Sequence, residues 1–86
     1  MSRTAAAAAR AAVEWAERAE NAFSVASVRR AEGDAVIERR GPRSESEGWY
    51  EKAETAEREG GTAAAMASMW ADVAGVLHLV DGGEPQ

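Results

Sequence analysis

The stretch E57-R-E-G-G-T-A-A-A-M-A-S-M-W-A-D-V-A-G-V-L-H-L-V80 decides how many helices this chain forms. It holds a paired glycine at its start and the only histidine of the chain near its end. From residue 66 onward, large apolar side chains recur at helical spacing, which predicts an amphipathic helix. They are Met66, Met69, Trp70, Val73, Leu77 and Val80.

Just upstream of the glycine pair, Trp49, Ala53 and Ala56 also share one side of a helix. At about 100° per residue, that side is rotated by roughly 140° from the later stripe. One straight helix cannot place both stripes on a single face. The sequence therefore predicts a tight turn at Gly60-Gly61, with Thr62 as the N-cap of a new helix.

Two earlier helices follow from similar signals. S44-E-S-E47 comes directly after the helix-breaking G41-P42 and has the form of a capping box. Nearer the N-terminus, Ser2 or Thr4 can cap an alanine-rich helix that Gly33 stops. The predicted helices span about 3–31, 44–59 and 62–80, with a loop at 32–43 and a flexible tail at 81–86.

These elements predict a single all-α domain over 1–86, either a small three-helix bundle or a helical hairpin. A chain of 86 residues without cysteine has a thin core and no disulfide to stabilise it. Its hydrophobic residues are mostly alanine, which buries little apolar area. We therefore expect oligomerisation to complete the fold.

An alternative order, αββα, rests on the segment between the first two helices. F23-S-V-A-S-V28 alternates with period two, and A35-V-I37 carries β-branched residues. E32-G-D34 between them has the composition of a turn. A β-hairpin over about 23–40 is the structure that this pattern indicates.

Charge is distributed unevenly along the chain. The net charge is -5, which argues against nucleic-acid or anionic-membrane binding. Residues 29–43 nevertheless sum to +2 and form a basic waist, whereas residues 44–86 sum to -7. The basic waist consists of Arg29, Arg30, Arg39, Arg40 and Arg43. The acidic docking face consists of Glu47, Glu51, Glu54, Glu57 and Glu59.

Neither catalysis nor a cofactor is indicated by the residue types. His78 is the only histidine, and Gly75 occupies the position where a helical Glu-x-x-His metal site needs its carboxylate. The serines have no cysteine or second histidine to form a relay, and no phosphate loop is present. We therefore expect no enzyme activity, no metal and no cofactor.

The favoured function is a protein-protein interaction or structural module that forms a homo-oligomer, most simply a dimer. An acidic regulator, inhibitor or antitoxin that docks on a basic protein surface is the first alternative, and a DNA-binding regulator that uses the basic waist is the second. The cytoplasm is the expected location, with no membrane span, since Asp72 interrupts the apolar segment. The predicted interface comprises Trp15, Phe23, Trp49, Met66, Met69, Trp70, Val73, Leu77 and Val80.

An internal echo relates two segments of the chain. N21-A-F-S-V-A-S-V-R-R-A-E-G33 and G48-W-Y-E-K-A-E-T-A-E-R-E-G60 share aromatic, alanine and Glu-Gly positions. The echo indicates helix-then-turn units and loosely resembles tetratricopeptide hairpins, without that family's consensus. In composition, the alanine-rich and arginine-rich chain resembles small uncharacterised helical proteins of high-GC actinobacteria and their phages, a resemblance that implies no activity.

Overall fold

The structure is a computed structural model that describes residues 4–83 of the backbone and the side chains up to residue 80. It contains two α-helices, α1 (Ala5–Glu38) and α2 (Arg43–Gly83). Joined by residues 39–42, they pack antiparallel as a helical hairpin. The result is a rod of 70 × 16 × 14 Å. The all-α class and the hairpin are confirmed.

Helix α1 begins as predicted and ends later than predicted. The Thr4 hydroxyl accepts a hydrogen bond from the Ala7 N–H at 3.1 Å, while Ser2 lies outside the described residues. The helix then continues through Gly33 to Glu38. The predicted loop at 32–43 is therefore too long, since only residues 39–42 connect the helices. The αββα alternative is wrong, because 23–38 is helical. A glycine costs a helix about 1 kcal/mol, and packing against α2 outweighs that cost.

A Schellman motif ends α1. The Gly41 N–H donates to the Val36 carbonyl at 2.8 Å, and the Arg40 N–H donates to the Ile37 carbonyl at 3.0 Å. Arg40 occupies the left-handed position, with φ 56°, where glycine is the usual residue. The turn is therefore closed by backbone hydrogen bonds and does not need a long loop.

Helix α2 replaces two predicted helices. It begins at Arg43 and runs without a break through Gly60-Gly61, so the separate helices at 44–59 and 62–80 are wrong. The Thr62 hydroxyl donates to the Arg58 carbonyl at 3.1 Å within the helix and is no N-cap. The capping box is not formed either, because the Pro42 carbonyl accepts the first helical N–H groups. The helix also extends to Gly83, into the predicted tail, whose last three residues lie outside the described part.

A seven-residue repeat of small side chains explains why α2 is continuous. In each helix, the positions that face the partner recur in the pattern of an antiparallel coiled coil, and every one of them is buried or half-buried. On α1 these positions are Ala8, Ala12, Trp15, Ala19, Ala22, Ala26, Arg29, Gly33 and Val36. On α2 they are Ser46, Trp49, Ala53, Ala56, Gly60, Ala63, Ala67, Trp70, Ala74 and Leu77. We call this set the seam.

The mismatch between the two stripes of α2 has two physical causes. A seven-residue repeat drifts by about 20° per heptad against a straight helix, so supercoiling absorbs roughly 60° over the three heptads that separate the stripes. In addition, Met66 lies one position before the seam residue Ala67, and Val73 lies one position before Ala74. Val80 follows Val73 by another seven residues, so all three side chains lie beside the seam. The seam is continuous through Gly60, Ala63 and Ala67, and Met66, Val73 and Val80 mark a different surface.

Candidate interaction surfaces

The core of the rod is built from small side chains. Among the residues whose side chains are described, the buried ones besides glycine are six alanines, Val36 and Ser46. No large side chain in this part of the chain is fully buried. Burying an alanine methyl contributes little to stability, on the order of 1 kcal/mol. The seam therefore permits close helix packing but leaves most large apolar groups outside it.

Two aromatic rings lie across the seam on two glycines. The Phe23 ring of α1 covers Gly60 of α2, and the Tyr50 ring of α2 covers Gly33 of α1. A Cβ on Gly33 would lie 2.7 Å from Tyr50 Cε1, and one on Gly60 would lie 2.8 Å from Phe23 Cε1. The separation along the chain from Phe23 to Tyr50 equals that from Gly33 to Gly60. The sequence echo between residues 21–33 and 48–60 thus corresponds to an approximate two-fold symmetry of the hairpin. In each of the two contacts, the aromatic ring of one segment packs on the glycine of the other.

Tyr50 is held in place by its hydroxyl, which donates to Asp34 Oδ1 at 2.5 Å. This hydrogen bond, together with partial burial and the charge of Asp34, raises the pKa of Tyr50 above its ordinary value of 10.0. The hydrogen bond stabilises the protonated phenol. Its contribution to folding is therefore fully present below pH 10 and is lost as the pH rises through the higher pKa of the folded state.

We expect an absorbance titration at 295 nm to give a pKa above 10 for the folded chain, because Tyr50 is its only tyrosine. Asp34→Ala removes both the hydrogen bond and the charge, so the pKa should fall toward its ordinary value. Titration in denaturant provides the unfolded reference. Equal pKa values for the folded wild type and Asp34→Ala would contradict the contact.

Three of the five arginines of the basic waist pair with glutamates of the same chain. Arg30 pairs with Glu57, Arg39 pairs with Glu45, and Arg43 pairs with Glu47. The hydrogen bond to Glu57, and then the charge of Glu57, raise the pKa of Arg30.

Arg29 contributes less to the basic surface than its position in the waist implies. It donates weakly to the Lys52 carbonyl, at 3.5 Å, and is half-buried in the seam. Of the five arginines of the basic waist, only Arg40 has no such contact in the described part of the chain. These contacts reduce the cationic surface that a DNA phosphate would need.

The exposed glutamates form a weaker patch than their number indicates. Glu47, Glu51, Glu54, Glu57 and Glu59 all lie on the surface of α2. Two of them, Glu47 and Glu57, already pair with arginines. A basic partner would have to compete with those arginines for the two carboxylates.

A second surface lies along one side of the seam and is mainly apolar. Glu59, Met66, Val73 and Val80 are spaced seven residues apart on α2, so they follow the same edge of the helix. Val25 occupies the equivalent edge of α1, one position before Ala26. We call this surface the apolar face. It comprises Val25, Val28, Trp49, Met66, Met69, Val73, Val76 and Val80.

Shallow grooves follow the apolar face. The groove nearest the turn, of about 360 Å³, is lined by Val25, Val28 and Trp49. A middle groove has a polar border that includes Arg18, Asn21 and Glu59. The groove nearest the chain termini, of about 320 Å³, is lined by Met69, Asp72, Val73, Val76 and Leu77. Two apolar patches are thus separated by a polar strip.

The predicted interface residues divide between the seam and the outside. Trp15, Trp49, Trp70 and Leu77 are half-buried in the seam, and Phe23 packs on Gly60. The Arg18 guanidinium lies 4.4 Å from the centre of the Trp15 ring, and the Lys52 ammonium lies 4.7 Å from that of Trp49. Met66 and Val73 are half-buried beside the seam, whereas Met69 and Val80 are exposed.

Sequence reasoning does not single out Val25, Val28, Gly33, Tyr50 or Val76 as site residues. The echo is the sequence signal that could have identified Gly33 and Tyr50, since it aligns Gly33 with Gly60 and Tyr50 with Phe23. Val25, Val28 and Val76 can be recognised as surface residues beside the seam only after the seam has been identified as a seven-residue repeat of mostly small side chains. His78 is exposed, and among the described residues no group of three His, Asp or Glu side chains is placed to hold a metal ion.

Part of α2 is long and apolar enough to cross a membrane, judged by length and composition alone. Only 6% of the apolar window is buried in the hairpin. The same residues form the termini-side part of the apolar face.

The fold and its surfaces define a class: a two-helix antiparallel coiled coil with a small-residue seam and a one-sided apolar face. Comparison with protein-family models, with curated proteins and with solved structures found no match for this chain.

Proposed function

We propose that the chain is a non-catalytic interaction module that associates with itself through the apolar face. The observation that carries this proposal is the exposure of Val25, Val28, Met69, Val76 and Val80, which are 40% to 62% accessible on one side of the rod. Exposed apolar patches of this kind are typical of a protein-protein contact. The seam does not cover these side chains, because they lie beside it and not between the two helices.

The shape of the rod supports the same proposal. Its radius of gyration is 19.4 Å, whereas a compact chain of this length has about 12 Å. A two-helix rod has a large surface for its mass and buries little apolar area internally. Association of two rods along their sides forms a bundle whose core includes the large apolar residues.

Sedimentation equilibrium tests the proposal on the wild-type chain. We expect a mass of twice 9.1 kDa at micromolar to millimolar concentration and a melting temperature that rises with concentration. Gel filtration alone overstates the mass of a rod, so a method independent of shape is needed. A monomeric mass at millimolar concentration, with a melting temperature independent of concentration, would contradict the proposal.

Salt separates this proposal from the acidic-regulator alternative. Apolar association persists or strengthens at high ionic strength, whereas docking of the exposed glutamates on a basic partner weakens as charges are screened. We expect the mass in about 1 M NaCl to equal that in about 0.1 M NaCl. Dissociation in high salt would favour an interface dominated by charge.

A further inference from the structure

We propose that the second copy docks antiparallel, with a two-fold axis that passes between the two copies at the level of Thr62, and that Lys52 of each copy then faces Asp72 of the other. This inference rests on the proposed self-association and adds the arrangement of the two rods. Four observations support it: the area of the long side, the spacing of the two apolar patches, the position of the two charges, and the charge that lies within the apolar segment.

The long side of the rod has the area that a stable dimer needs. A side of 70 by 16 Å offers about 1,000 Å², above the roughly 800 Å² per partner that standard interfaces bury. An end of the rod, 16 by 14 Å, offers only about 200 Å², far below that area. The partner must therefore lie along the rod and not at its end.

The two apolar patches lie at nearly equal distances from the middle of α2. Trp49 precedes Thr62 and Val76 follows it, each by about 20 Å along the helix. The polar strip with Arg18 and Glu59 lies between them. Reversing one rod about Thr62 places the turn-side patch of one copy on the termini-side patch of the other.

Charge decides between the antiparallel and the parallel arrangement. Lys52 lies beside Trp49 in the turn-side patch, and Asp72 lines the termini-side groove. The two are equally far from Thr62 in sequence, about 15 Å along the helix. Asp72 forms no ion pair with the residues that the structure describes. The antiparallel dimer places Lys52 opposite Asp72, whereas the parallel one places like charges together, which is unfavourable.

The same charge argues for a second copy over a lipid bilayer. Asp72 lies within the apolar window of α2, and a carboxylate at the centre of a membrane helix costs about 3 kcal/mol or more. In the antiparallel dimer this carboxylate lies at the rim with a cation opposite. The apolar face also includes Val25 and Val28 of α1, so it spans two helices.

Single-cysteine spin labels test the arrangement, because the natural chain has no cysteine. In an antiparallel dimer, labels at Ser44→Cys are separated by about 54 Å along the helix axis, and labels at His78→Cys by about 48 Å. A mixture of the two variants gives a new distance below about 30 Å, the width of two helix pairs. The longest dimension in small-angle scattering stays near 70 Å.

A charge exchange provides the second readout. We expect Lys52→Glu alone, and Asp72→Lys alone, to raise the dimer Kd about tenfold, since each creates two repulsive contacts. The double variant Lys52→Glu with Asp72→Lys should restore most of the affinity. Circular dichroism of each variant verifies that the helices remain.

The possible failures are distinguishable. A distance below about 30 Å between identical labels, which is the width of two helix pairs, overturns the antiparallel arrangement and leaves self-association intact. The same conclusion follows if the double variant does not recover affinity. A monomer at all concentrations overturns both proposals. Flotation of a monomeric chain with phosphatidylcholine vesicles also overturns both and makes lipid the occupant of the apolar face.

Discussion

Gly33→Ala should lower the free energy of unfolding by up to about 2 kcal/mol, although alanine is the better helix former. The new Cβ would lie 2.7 Å from Tyr50 Cε1, inside the distance that real Cβ atoms keep. The Tyr50 ring cannot turn away freely, because its hydroxyl is bound to Asp34. The cost of overpacking, about 1–3 kcal/mol, therefore exceeds a propensity gain of about 1 kcal/mol.

Gly61→Ala is the matched control for Gly33→Ala. Nothing lies within 4 Å of a Cβ at Gly61, so the propensity gain of about 1 kcal/mol remains unopposed. The change in the free energy of unfolding, measured by thermal and urea unfolding, should thus be of opposite sign in the two variants. For a chain of this size the contrast corresponds to about 10 °C or more in melting temperature. Equal stabilisation by both substitutions would show that the helices do not approach closely at Gly33.

Val76→Asp should raise the dimer Kd by about 100-fold. Val76 is 60% exposed on the termini-side patch of the apolar face. A two-fold dimer would bury the Val76 side chain of each copy. Burying an unpaired carboxylate costs several kcal/mol, and part of that cost remains even where the group stays near the rim. Sedimentation equilibrium at several concentrations measures the effect.

Val13→Asp is the control for that substitution. Val13 is 57% exposed and has the same side chain, but it lies outside the apolar face. Valine and aspartate have similar helix propensities, so neither variant should change the helix content. We expect Val13→Asp to leave the Kd within about threefold of the wild type, which is less than about 1 kcal/mol. Equal weakening by both variants would show that the contact surface is not the apolar face.

The sequence was sufficient to predict a helical class and the start of the first helix. Alanine-rich composition, helical spacing and Thr4 act locally, so each can be interpreted without knowing the partner. The G41-P42 pair was correctly interpreted as a helix breaker, since it lies between the end of α1 and the start of α2. The echo between residues 21–33 and 48–60 is visible in the sequence, although its meaning is not.

The number of helices was decided by the tertiary structure. Gly33 and Gly60 have the local signature of helix stops, because glycine lowers helix propensity whatever surrounds it. In the hairpin both are helical, since each allows an aromatic ring of the other helix to approach the backbone. Propensity concerns one residue, whereas this packing joins segments that are distant in the sequence.

The candidate site shows the same division between local and tertiary information. Sequence alone determined that the second half of the chain carries a long apolar stripe and that arginines and glutamates are clustered. Only the hairpin decided that alanine and glycine predominate in the seam, that Arg30 pairs with Glu57 across the two helices, and that the side chains of the apolar face remain outside the seam. The physical reason is that small residues let two helices approach closely. Large side chains at the seam, such as Trp15 and Trp70, are therefore only half-buried, and several of those beside it are exposed.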